Sequence, residues 1–220
     1  MNCSLVATDL YRFYHAGDEE TLALRGVSLE VDAGEIVAVT GPSGSGKSTL
    51  LACLAGLDEP DGGMVRIADE PLSRRSETER ASIRSRRIGV LLQNANLLEH
   101  LTVAENVRLV QHLARNRSER PVAAVLGEVG MGNRSRSHPS ELSGGELARA
   151  GLAVALANDP SVVLADEPTG ELDHGNAAKL IALLRDRARS GSAVVVVTHS
   201  RALAAEADRT IVLRDGLVQA

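Results

Sequence analysis

The chain has 220 residues, of which 44% are hydrophobic, and this is enough for one domain with a sizeable core. Its 24 lysine and arginine residues face 29 aspartate and glutamate residues, and the net charge of -5 argues against a general nucleic-acid-binding protein. No apolar run approaches the roughly 20 residues that cross a bilayer, the first residues lack the layout of a signal peptide, and Cys3 and Cys53 are typical of reduced thiols, so we expect a cytosolic protein.

Two short strands are predicted near the start of the chain, over 4–10 and 26–32, with apolar residues alternating along the second strand. A polar loop over 15–21 lies between them, so the chain is expected to begin with a small antiparallel patch. The only aromatic residues of the chain, Tyr11, Phe13 and Tyr14, are clustered here. Their spacing leaves two explanations open: Tyr11 or Tyr14 stacks on the base of a nucleotide, or the rings cover the edge of the sheet.

A glycine-rich loop joins the buried strand 35–40 to a helix with regularly spaced leucines, which is the context of a phosphate-binding loop. Its glycines let several backbone N–H groups point at one anion, and the helix that follows adds the positive end of its dipole. Lys47 is expected to reach the β- and γ-phosphates, and the Ser48 hydroxyl to bind Mg²⁺. The loop consists of Gly41, Pro42, Ser43, Gly44, Ser45, Gly46, Lys47, Ser48 and Thr49.

The middle of the chain alternates predicted strands with helices. After the first helix the pattern indicates a turn, a strand, an exposed arginine-rich helix and a buried strand, over 58–63, 64–68, 73–87 and 88–92. Gln93 directly follows that buried strand. From 101 to about 130 the apolar spacing is helical, and Pro121 suits a helix start. These helices are expected to form a lobe inserted between strands of the main sheet.

Ser143, Gly144, Gly145 and Glu146 open a further predicted helix, which runs to about 158. Ser143 is a good N-cap, and Glu146 completes a capping box. Glycines at a helix N-terminus also suit an anion site. Because capping boxes are common, this pattern alone does not decide between a structural cap and a binding site.

Two adjacent carboxylates, Asp166 and Glu167, follow the buried strand that begins at 162. Downstream of a phosphate loop, the first is suited to hold Mg²⁺ and the second to polarise the water that attacks a γ-phosphate. The alternative is a solvated strand end that happens to be acidic. The turn Gly170–Asp173 then leads into an amphipathic helix.

A single histidine, His199, follows the apolar strand 193–197. Isolated histidines are usually structural, but open α/β sheets hold their ligands at the carboxyl ends of strands, so His199 is a candidate γ-phosphate contact. A short helix over 201–207 and a hairpin around Asp215 and Gly216 are predicted to close the chain.

Taken together, these motifs resemble the ATP-binding subunits of ABC transporters over essentially the whole chain. Residues 41–49 are similar to the Walker A loop, 142–146 to the signature sequence, and 162–167 to Walker B followed by the catalytic glutamate. The single-residue matches are Tyr14 for the aromatic A-loop, Gln93 for the Q-loop, Asp173 for the end of the D-loop, and His199 for the switch histidine. The signature is the most diagnostic motif, because generic P-loop enzymes lack it.

The resemblance implies an α/β fold, a P-loop NTPase core with a mostly parallel sheet, an N-terminal antiparallel patch and an inserted helical lobe over about 94–158, all in one domain covering 1–220. It implies ATP and Mg²⁺ as cofactors. The implied catalytic residues are Glu167, His199 and Lys47, and the implied metal ligands are Ser48, Gln93 and Asp166.

The resemblance also implies partners. Two copies of the chain pair head to tail, so that each ATP lies between the Walker A loop of one copy and Ser143, Gly144, Gly145 and Asp173 of the other. An integral-membrane permease supplies the membrane span and chooses the cargo. The implied location is the cytoplasmic face of the cell membrane, and no nucleic-acid partner is expected.

The finer resemblance is to the branch that releases lipoproteins or exports macrolides and antimicrobial peptides, and it rests on the runs 88–107 and 166–173. The chain departs from this branch after the signature. Leu147 and Ala148 replace two glutamines, and Val154 replaces an arginine, although Arg149 remains. These departures concern turnover and coupling to a partner and leave ATP binding unaffected.

Three other classes of protein explain less of the pattern. ABC-type ATPases of DNA repair or chromosome organisation carry a long coiled coil between the phosphate loop and the signature, and no sustained heptads separate Lys47 from Ser143. A P-loop kinase explains neither the signature nor His199. A non-transport scaffold ATPase, of the cell-division or iron–sulfur assembly type, stays open as the alternative, since only the branch motifs argue against it.

Overall fold

The structure is a computed structural model that describes residues 3–16, 19–93, 97–114 and 120–219. Its strands, in chain order, are β1 Cys3–Ala16, β2 Glu19–Asp32, β3 Ile36–Thr40, β4 Gly62–Ile67, β5 Glu70–Pro71, β6 Ile88–Leu91, β7 Val162–Asp166, β8 Ala193–Val197, β9 Arg209–Arg214 and β10 Leu217–Gln219. Within the described residues they form a four-stranded sheet in the order β2-β1-β4-β5 and a six-stranded sheet in the order β10-β9-β3-β8-β7-β6. The first sheet is antiparallel, and the second is parallel from β9 to β6 with β10 antiparallel at its edge. The predicted α/β fold is confirmed.

The N-terminal hairpin is longer than predicted. Strands β1 and β2 have 14 residues each, and their pairing extends as far as Ala16 opposite Glu19. The prediction of a polar loop over 15–21 was therefore wrong, apart from residues 17 and 18, which lie outside the described residues. Polar residues can occupy the solvent-facing positions of a two-stranded ribbon, so the ribbon leaves no apolar pattern in the sequence.

The main sheet is buried on both faces along its central strands. Residues 162–165 of β7 and the whole of β8 are buried. Successive apolar residues of this kind are typical of parallel strands that helices cover on both sides. Because β3, β7 and β8 run parallel and in register, their carboxyl ends bring Thr40, Asp166 and Thr198 to the same edge of the sheet.

Seven α-helices occur in the described residues: α1 Lys47–Leu54, α2 Glu77–Arg87, α3 Val103–Leu113, α4 Val122–Glu128, α5 Gly144–Ala155, α6 His174–Arg189 and α7 Arg201–Ala205. The helix predicted over 73–87 begins only at Glu77, because Ser76 caps it and forms a capping box with Glu79. Across the described ranges, no helix combines the length and the apolar character needed to cross a bilayer.

The helices of the predicted lobe pack on one face of the main sheet. Buried side chains of α3, α4 and α5 join those of β7 and β8 in one cluster, which includes Val103, Leu126, Leu152, Val163 and Val196. The opposite face packs against α1 and the antiparallel sheet. This shared core favours one domain over 1–220, which stays a prediction, as does the lobe boundary of 94–158; residues 94–96 and 115–119 lie outside the described part.

The thiol of Cys53 is a test of this packing. Cys53 is 1% exposed on α1, and burial, with the nearby carboxylate of Asp58, raises its pKa to about 12. In a Cys3→Ser background at pH 8, we expect an alkylating reagent to modify the native protein more than roughly a hundredfold more slowly than the unfolded chain. Because the unfolded thiol loses its proton at lower pH than the native one, unfolding should also become easier as the pH rises above about 8.5. Rapid native labelling would contradict this packing.

Candidate active site

The phosphate loop between β3 and α1 has a positive φ at three glycines, and two of them also lie close to neighbouring strands. Gly41 has a φ of 149° and Gly46 a φ of 99°. A Cβ atom at Gly41 would lie 2.0 Å from the carbonyl oxygen of Leu213, and one at Gly46 would lie 2.4 Å from that of Ala23. Neighbouring strands therefore approach the loop too closely for any side chain at these positions.

Lys47 is buried at the start of α1, with its ammonium group inside the loop. Its Nζ donates hydrogen bonds to the carbonyl oxygens of Gly41, at 3.0 Å, and Pro42, at 2.8 Å. Burial lowers the pKa of Lys47, while the charges of Glu167 and Asp166 oppose this shift. A lysine held in this way can exchange carbonyl oxygens for phosphate oxygens at little cost in side-chain ordering.

Two clefts open on either side of the loop and share Gly44, Lys47 and Ser48. The tyrosine-side cleft has a volume of about 630 Å³ and is lined by Tyr14, Thr21, Leu22, Ala23, Arg25, Gly44, Gly46, Lys47, Ser48, Thr49, Asp215 and Gly216. The carboxylate-side cleft has a volume of about 500 Å³ and is lined by Ser43, Gly44, Lys47, Ser48, Gln93, Asp166, Glu167, Gly170, Val197 and His199. An elongated ligand can therefore lie across the loop with a different chemistry at each end.

Asp166 and Glu167 bring two negative charges to one wall of the carboxylate-side cleft. Burial raises the pKa of Asp166, and so does the adjacent charge of Glu167, while Lys47 opposes both effects. One lysine thus faces two carboxylates at the edge of the sheet. With one ammonium group and two carboxylates, this part of the cleft can bind a cation as well as an anion.

Glu167 is held by the end of β8. Its backbone has a φ of 44° in the left-handed region, and its N–H donates to the carbonyl oxygen of Val197 at 2.9 Å. Its Oε2 accepts hydrogen bonds from the hydroxyl of Thr198 and the N–H of His199, both at 3.2 Å. The His199 Nε2 lies 3.5 Å from Oε1, which is buried and has no hydrogen-bond partner among the described residues. One carboxylate oxygen is thus held in place, and the other remains available to a water molecule.

The carboxylate-side cleft also fits a hard divalent cation. The hydroxyl of Ser48, the amide of Gln93 and the carboxylate of Asp166 all line it. Oxygen donors with few carboxylates are what Mg²⁺ takes when phosphates and water complete its octahedron. No group of three or more histidine, cysteine or acidic residues suited to a metal occurs in the described ranges, so nothing there competes as a protein-only site.

The two tyrosines have different environments. Tyr14 lines the tyrosine-side cleft and is 40% exposed. Tyr11 instead lies across Gly26 and Gly62, where Cβ atoms would come within 2.9 Å and 3.3 Å of its side chain. Of the two explanations left open by spacing, a base contact is available to Tyr14, and Tyr11 covers the sheet.

The predicted signature residues lie elsewhere. Ser143 caps α5 in the predicted capping box, Ser143 and Gly144 are exposed, and the residues that line the two clefts do not include Ser143, Gly144, Gly145 or Asp173. A Cβ atom at Gly145 would lie 2.3 Å from the side chain of Asn176, so α5 approaches the start of α6 closely. Asp173 caps α6 by accepting from the N–H of Asn176 at 3.0 Å. A single chain therefore leaves these residues apart from its own phosphate loop.

Several residues in or beside the clefts were missed by sequence reasoning. Arg25, Asp215 and Gly216 line the tyrosine-side cleft, and the N–H of Gly216 donates to the carbonyl oxygen of Ser45 in the phosphate loop at 3.1 Å. These contacts join distant parts of the chain, so no local pattern reveals them. Thr198 could have been found as the polar residue that ends a buried strand beside His199.

The three residues that depart from the branch pattern, Leu147, Ala148 and Val154, lie on α5 and are buried or half-buried. Val154 is 7% exposed in the cluster beneath the lobe, and Ala148 packs against the same cluster. Leu147 is half-buried. Arg149 donates from its Nη1 to the Oδ1 of Asn176 at 3.3 Å, so the link between α5 and the start of α6 is retained.

Replacing Thr198 by valine removes one of the two donors to Glu167 and keeps the side-chain shape. A hydrogen bond to a charged carboxylate is worth about 1.5–3 kcal/mol, so we expect ATP turnover to fall roughly 10- to 100-fold while ATP affinity stays within twofold. Thr198→Ser keeps the hydroxyl and should restore turnover. Phosphate release under saturating ATP measures the effect, and a Thr198→Val variant that hydrolyses ATP at the parental rate would contradict this role.

The comparisons with known proteins agree with this geometry. The sequence pattern of the family described as ABC transporter matches residues 24–170. The chain is 42% identical over 214 residues to an uncharacterised ABC transporter ATP-binding protein of Thermotoga maritima, a match that covers 96% of this chain and 92% of that protein. It is 41% identical over 221 residues to the lipoprotein-releasing system ATP-binding protein LolD of Psychrobacter arcticus, covering 98% of each.

A longer relative and two solved structures extend the comparison. The macrolide export ATP-binding/permease protein MacB of Hyphomonas neptunium is 40% identical over 213 residues, and the match covers 96% of this chain and 33% of that protein. A dimeric structure of MJ0796, a bacterial ABC transporter cassette, superposes with a TM-score of 0.90 at 35% identity and covers 98% of this chain and 97% of that one. A post-hydrolysis dimer of the same cassette, bound to ADP and Pi, gives a TM-score of 0.90 at 34% identity over the same shares. With the family pattern covering well over half of its length, the chain belongs to the ABC transporter family as an ATP-binding, ATP-hydrolysing protein.

Proposed function

We propose that this chain is the ATPase subunit of an ABC exporter or lipoprotein extruder, and that two copies close head to tail around Mg²⁺-bound ATP to drive a membrane permease. The observation that supports the proposal is that the predicted site residues lie in two separate places on one chain. Lys47, Asp166, Glu167 and His199 line the carboxylate-side cleft at the phosphate loop, whereas Ser143 caps α5 outside both clefts and is exposed.

The phosphates are bound by groups that the chain already holds in place. Backbone N–H groups of residues 43–48 and the dipole of α1 cradle the β-phosphate, and Lys47 transfers its hydrogen bonds from loop carbonyls to phosphate oxygens. Ser48, Gln93 and Asp166 are the residues that would hold Mg²⁺, which supplies charge neutralisation at the β- and γ-phosphates. Tyr14 stacks on the adenine in the tyrosine-side cleft.

Hydrolysis depends on Glu167. Its free Oε1 accepts a proton from the attacking water, while Thr198 and the N–H of His199 keep Oε2 fixed. The exposed imidazole of His199 lies beside this carboxylate and contacts the γ-phosphate. Lys47 and the loop amides stabilise the charge that spreads over the phosphoryl oxygens.

The head-to-tail pairing gives the exposed α5 terminus a role. In a symmetric pair the same surface is used twice, so Ser143, Gly144 and Gly145 of each copy face the ATP held by the other. Asp173 caps α6 by accepting from the N–H of Asn176. Because Asn176 lies directly against Gly145, Asp173 is close to the start of α5. The dimeric forms of the similar cassette support this arrangement.

The membrane partner docks beside Gln93. Leu92 directly precedes Gln93, which lines the carboxylate-side cleft, and is 41% exposed; Leu98, further along the chain, is 44% exposed. Exposed apolar side chains of this kind suit a protein contact. The similarity to LolD and MacB supports an exporting or extruding permease over a soluble scaffold. The complex would then lie on the cytoplasmic face of the membrane.

Light scattering of the purified chain with Mg²⁺ and ATP, combined with a phosphate-release assay, tests the proposal. We expect ATP to shift the chain towards a dimer and hydrolysis to return it to monomers. Ser143→Arg places a bulky side chain at the α5 terminus, so it should abolish dimerisation and hydrolysis while leaving ATP binding to one chain intact. Dimerisation by Ser143→Arg at the parental ATP concentration would overturn the head-to-tail arrangement. Co-purification with a soluble partner in place of a permease would favour the scaffold alternative.

A further inference from the structure

The cationic side chain of Arg12 lies against one face of the Tyr14 ring. The guanidinium carbon of Arg12 lies 4.8 Å from the centre of the Tyr14 ring. Tyr14 lines the tyrosine-side cleft, and Arg12 is not among the residues that line it. A cation at this distance is attracted to the ring face and prevents the ring from turning in that direction.

Arg12 is itself fixed by two aspartates that follow α1. Its Nε and Nη2 each lie 2.8 Å from a different oxygen of Asp58, and its Nη1 lies 3.0 Å from Asp61 Oδ2. Partial burial acts to lower the pKa of Arg12, but hydrogen bonds to Asp58, Asp61 and Tyr14 outweigh it and raise the pKa. A two-point pair of this kind holds the planar guanidinium in one orientation.

The hydroxyl of Tyr14 is held by Asp58, one of the two carboxylates that bind Arg12. The hydroxyl of Tyr14 donates to Oδ2 of Asp58 at 2.8 Å. Asp61 accepts from the backbone N–H of Phe13 at 2.8 Å, which ties the intervening strand residue to the same turn. The ring is thus restrained at one face, at its hydroxyl and through its backbone, although the side chain is largely at the surface.

Asp58 connects this cluster to the phosphate loop. Its backbone N–H donates to the carbonyl oxygen of Ala52 in the last turn of α1, at 3.2 Å. Helix α1 begins at Lys47 in the phosphate loop. The distance between the restrained ring and the phosphate-binding groups is therefore set by one short helix.

We infer that Arg12, Asp58 and Asp61 are positioning residues that hold Tyr14 ready to stack on the nucleotide base with its free face. The inference rests on the proposed function, since it needs a nucleotide in the tyrosine-side cleft. An ion pair that merely joins β1 to the turn after α1 would require neither the stacked guanidinium nor the phenolic hydrogen bond. Pre-ordering the ring removes an entropy cost from base binding and leaves phosphate binding unchanged.

The test compares a ligand that has a base with one that lacks it. Calorimetric titrations with Mg²⁺-ATP and with Mg²⁺-tripolyphosphate measure both affinities for each variant. For Arg12→Met we expect about fivefold weaker ATP binding and tripolyphosphate binding within twofold of the parent. Arg66→Met, an arginine on the neighbouring strand β4 outside the cleft, is the matched control and should change neither affinity.

A second variant and a double-mutant cycle distinguish the loss of ring positioning from a general effect on folding. Tyr14→Phe removes only the hydroxyl that binds Asp58, and we expect about threefold weaker ATP binding with unchanged tripolyphosphate binding. In a Tyr14→Ala background, Arg12→Met should weaken ATP binding by less than twofold, because the ring that it orders is absent. A merely structural arginine would show its full effect in both backgrounds.

The outcomes separate the two levels of the proposal. A parent chain that binds neither ligand overturns the proposed function and the inference with it. A parent that binds ATP, together with an Arg12→Met variant that binds ATP equally well or loses both ligands equally, overturns the inference alone. Additive effects of Arg12→Met and Tyr14→Ala also overturn it.

Discussion

Glu167→Gln is expected to bind ATP with near-parental affinity and to lose about 10²–10⁴-fold in turnover, because a general base typically contributes that factor. The amide oxygen of glutamine can still accept from Thr198 and from the N–H of His199, since both donors use the same oxygen of Glu167. The variant therefore keeps the geometry of the site and loses only the proton acceptor. In the proposed mechanism hydrolysis opens the dimer, so Glu167→Gln should accumulate as an ATP-bound dimer.

Phosphate release measures the turnover of Glu167→Gln, and light scattering with Mg²⁺-ATP measures the dimer. Glu206→Gln, a change at an exposed carboxylate on the C-terminal side of α7, is the control and should match the parent in both assays. Parental turnover by Glu167→Gln would show that another group activates the water. A monomeric, inactive Glu167→Gln would instead separate the catalytic role from the proposed coupling of hydrolysis to dimer opening.

Lys47→Ala is expected to weaken ATP binding roughly 10- to 100-fold, since it removes charge-assisted hydrogen bonds to the β- and γ-phosphates that are worth about 1.5–3 kcal/mol. The ammonium group is buried among loop carbonyls and is the one lysine in either cleft within the described residues. Unlike Glu167→Gln, this variant should form no trapped dimer.

The composition of the chain provides a matched control for Lys47→Ala. Lys179, on the exposed side of α6, is the only other lysine, so Lys179→Ala makes the same chemical change away from the clefts. It should leave ATP affinity and turnover within twofold of the parent. The double variant Lys47→Ala with Glu167→Gln should stay monomeric at ATP concentrations that trap Glu167→Gln, and a trapped dimer of the double variant would remove Lys47 from the binding step.

Much of the main sheet could be predicted because its signals are local. Strands β3, β7 and β8 are apolar runs bounded by turns, and helix α5 begins at Gly144 with Ser143 as its cap, where the capping box predicted it. The N-terminal ribbon could not be predicted at its full length, since pairing of polar solvent-facing residues leaves no periodic signal. The start of α2 at Glu77 was likewise missed, although Ser76 and Glu79 carry the capping pattern.

In the candidate site, too, some residues could be predicted from local sequence and others only from the tertiary structure. Lys47, Ser48, Asp166, Glu167 and His199 were each proposed from motifs, because each lies at or just after the end of a strand or in the first turn of a helix. The role of Thr198 was not, since a hydroxyl becomes a donor to Glu167 only when β7 and β8 lie side by side. Spacing alone did not separate Tyr11 from Tyr14 as base contacts. The family resemblance favoured Tyr14, and the close approach of Gly26 and Gly62 to Tyr11 gives the physical reason.

By itself, the sequence of this ABC ATPase determined which reactive groups are present and which element each one ends or begins, because strand ends, helix caps and glycine loops are properties of a few consecutive residues. Only the tertiary structure decided which of these groups meet. Pairing of β7 with β8 fixes the carboxylate of Glu167, and the turn after α1 holds Arg12 against one face of Tyr14. Ser143, at the cap of α5, lies outside both clefts at the phosphate loop of its own chain. The physical reason is that such contacts join residues far apart in the chain, where hydrogen bonding and burial depend on the whole fold.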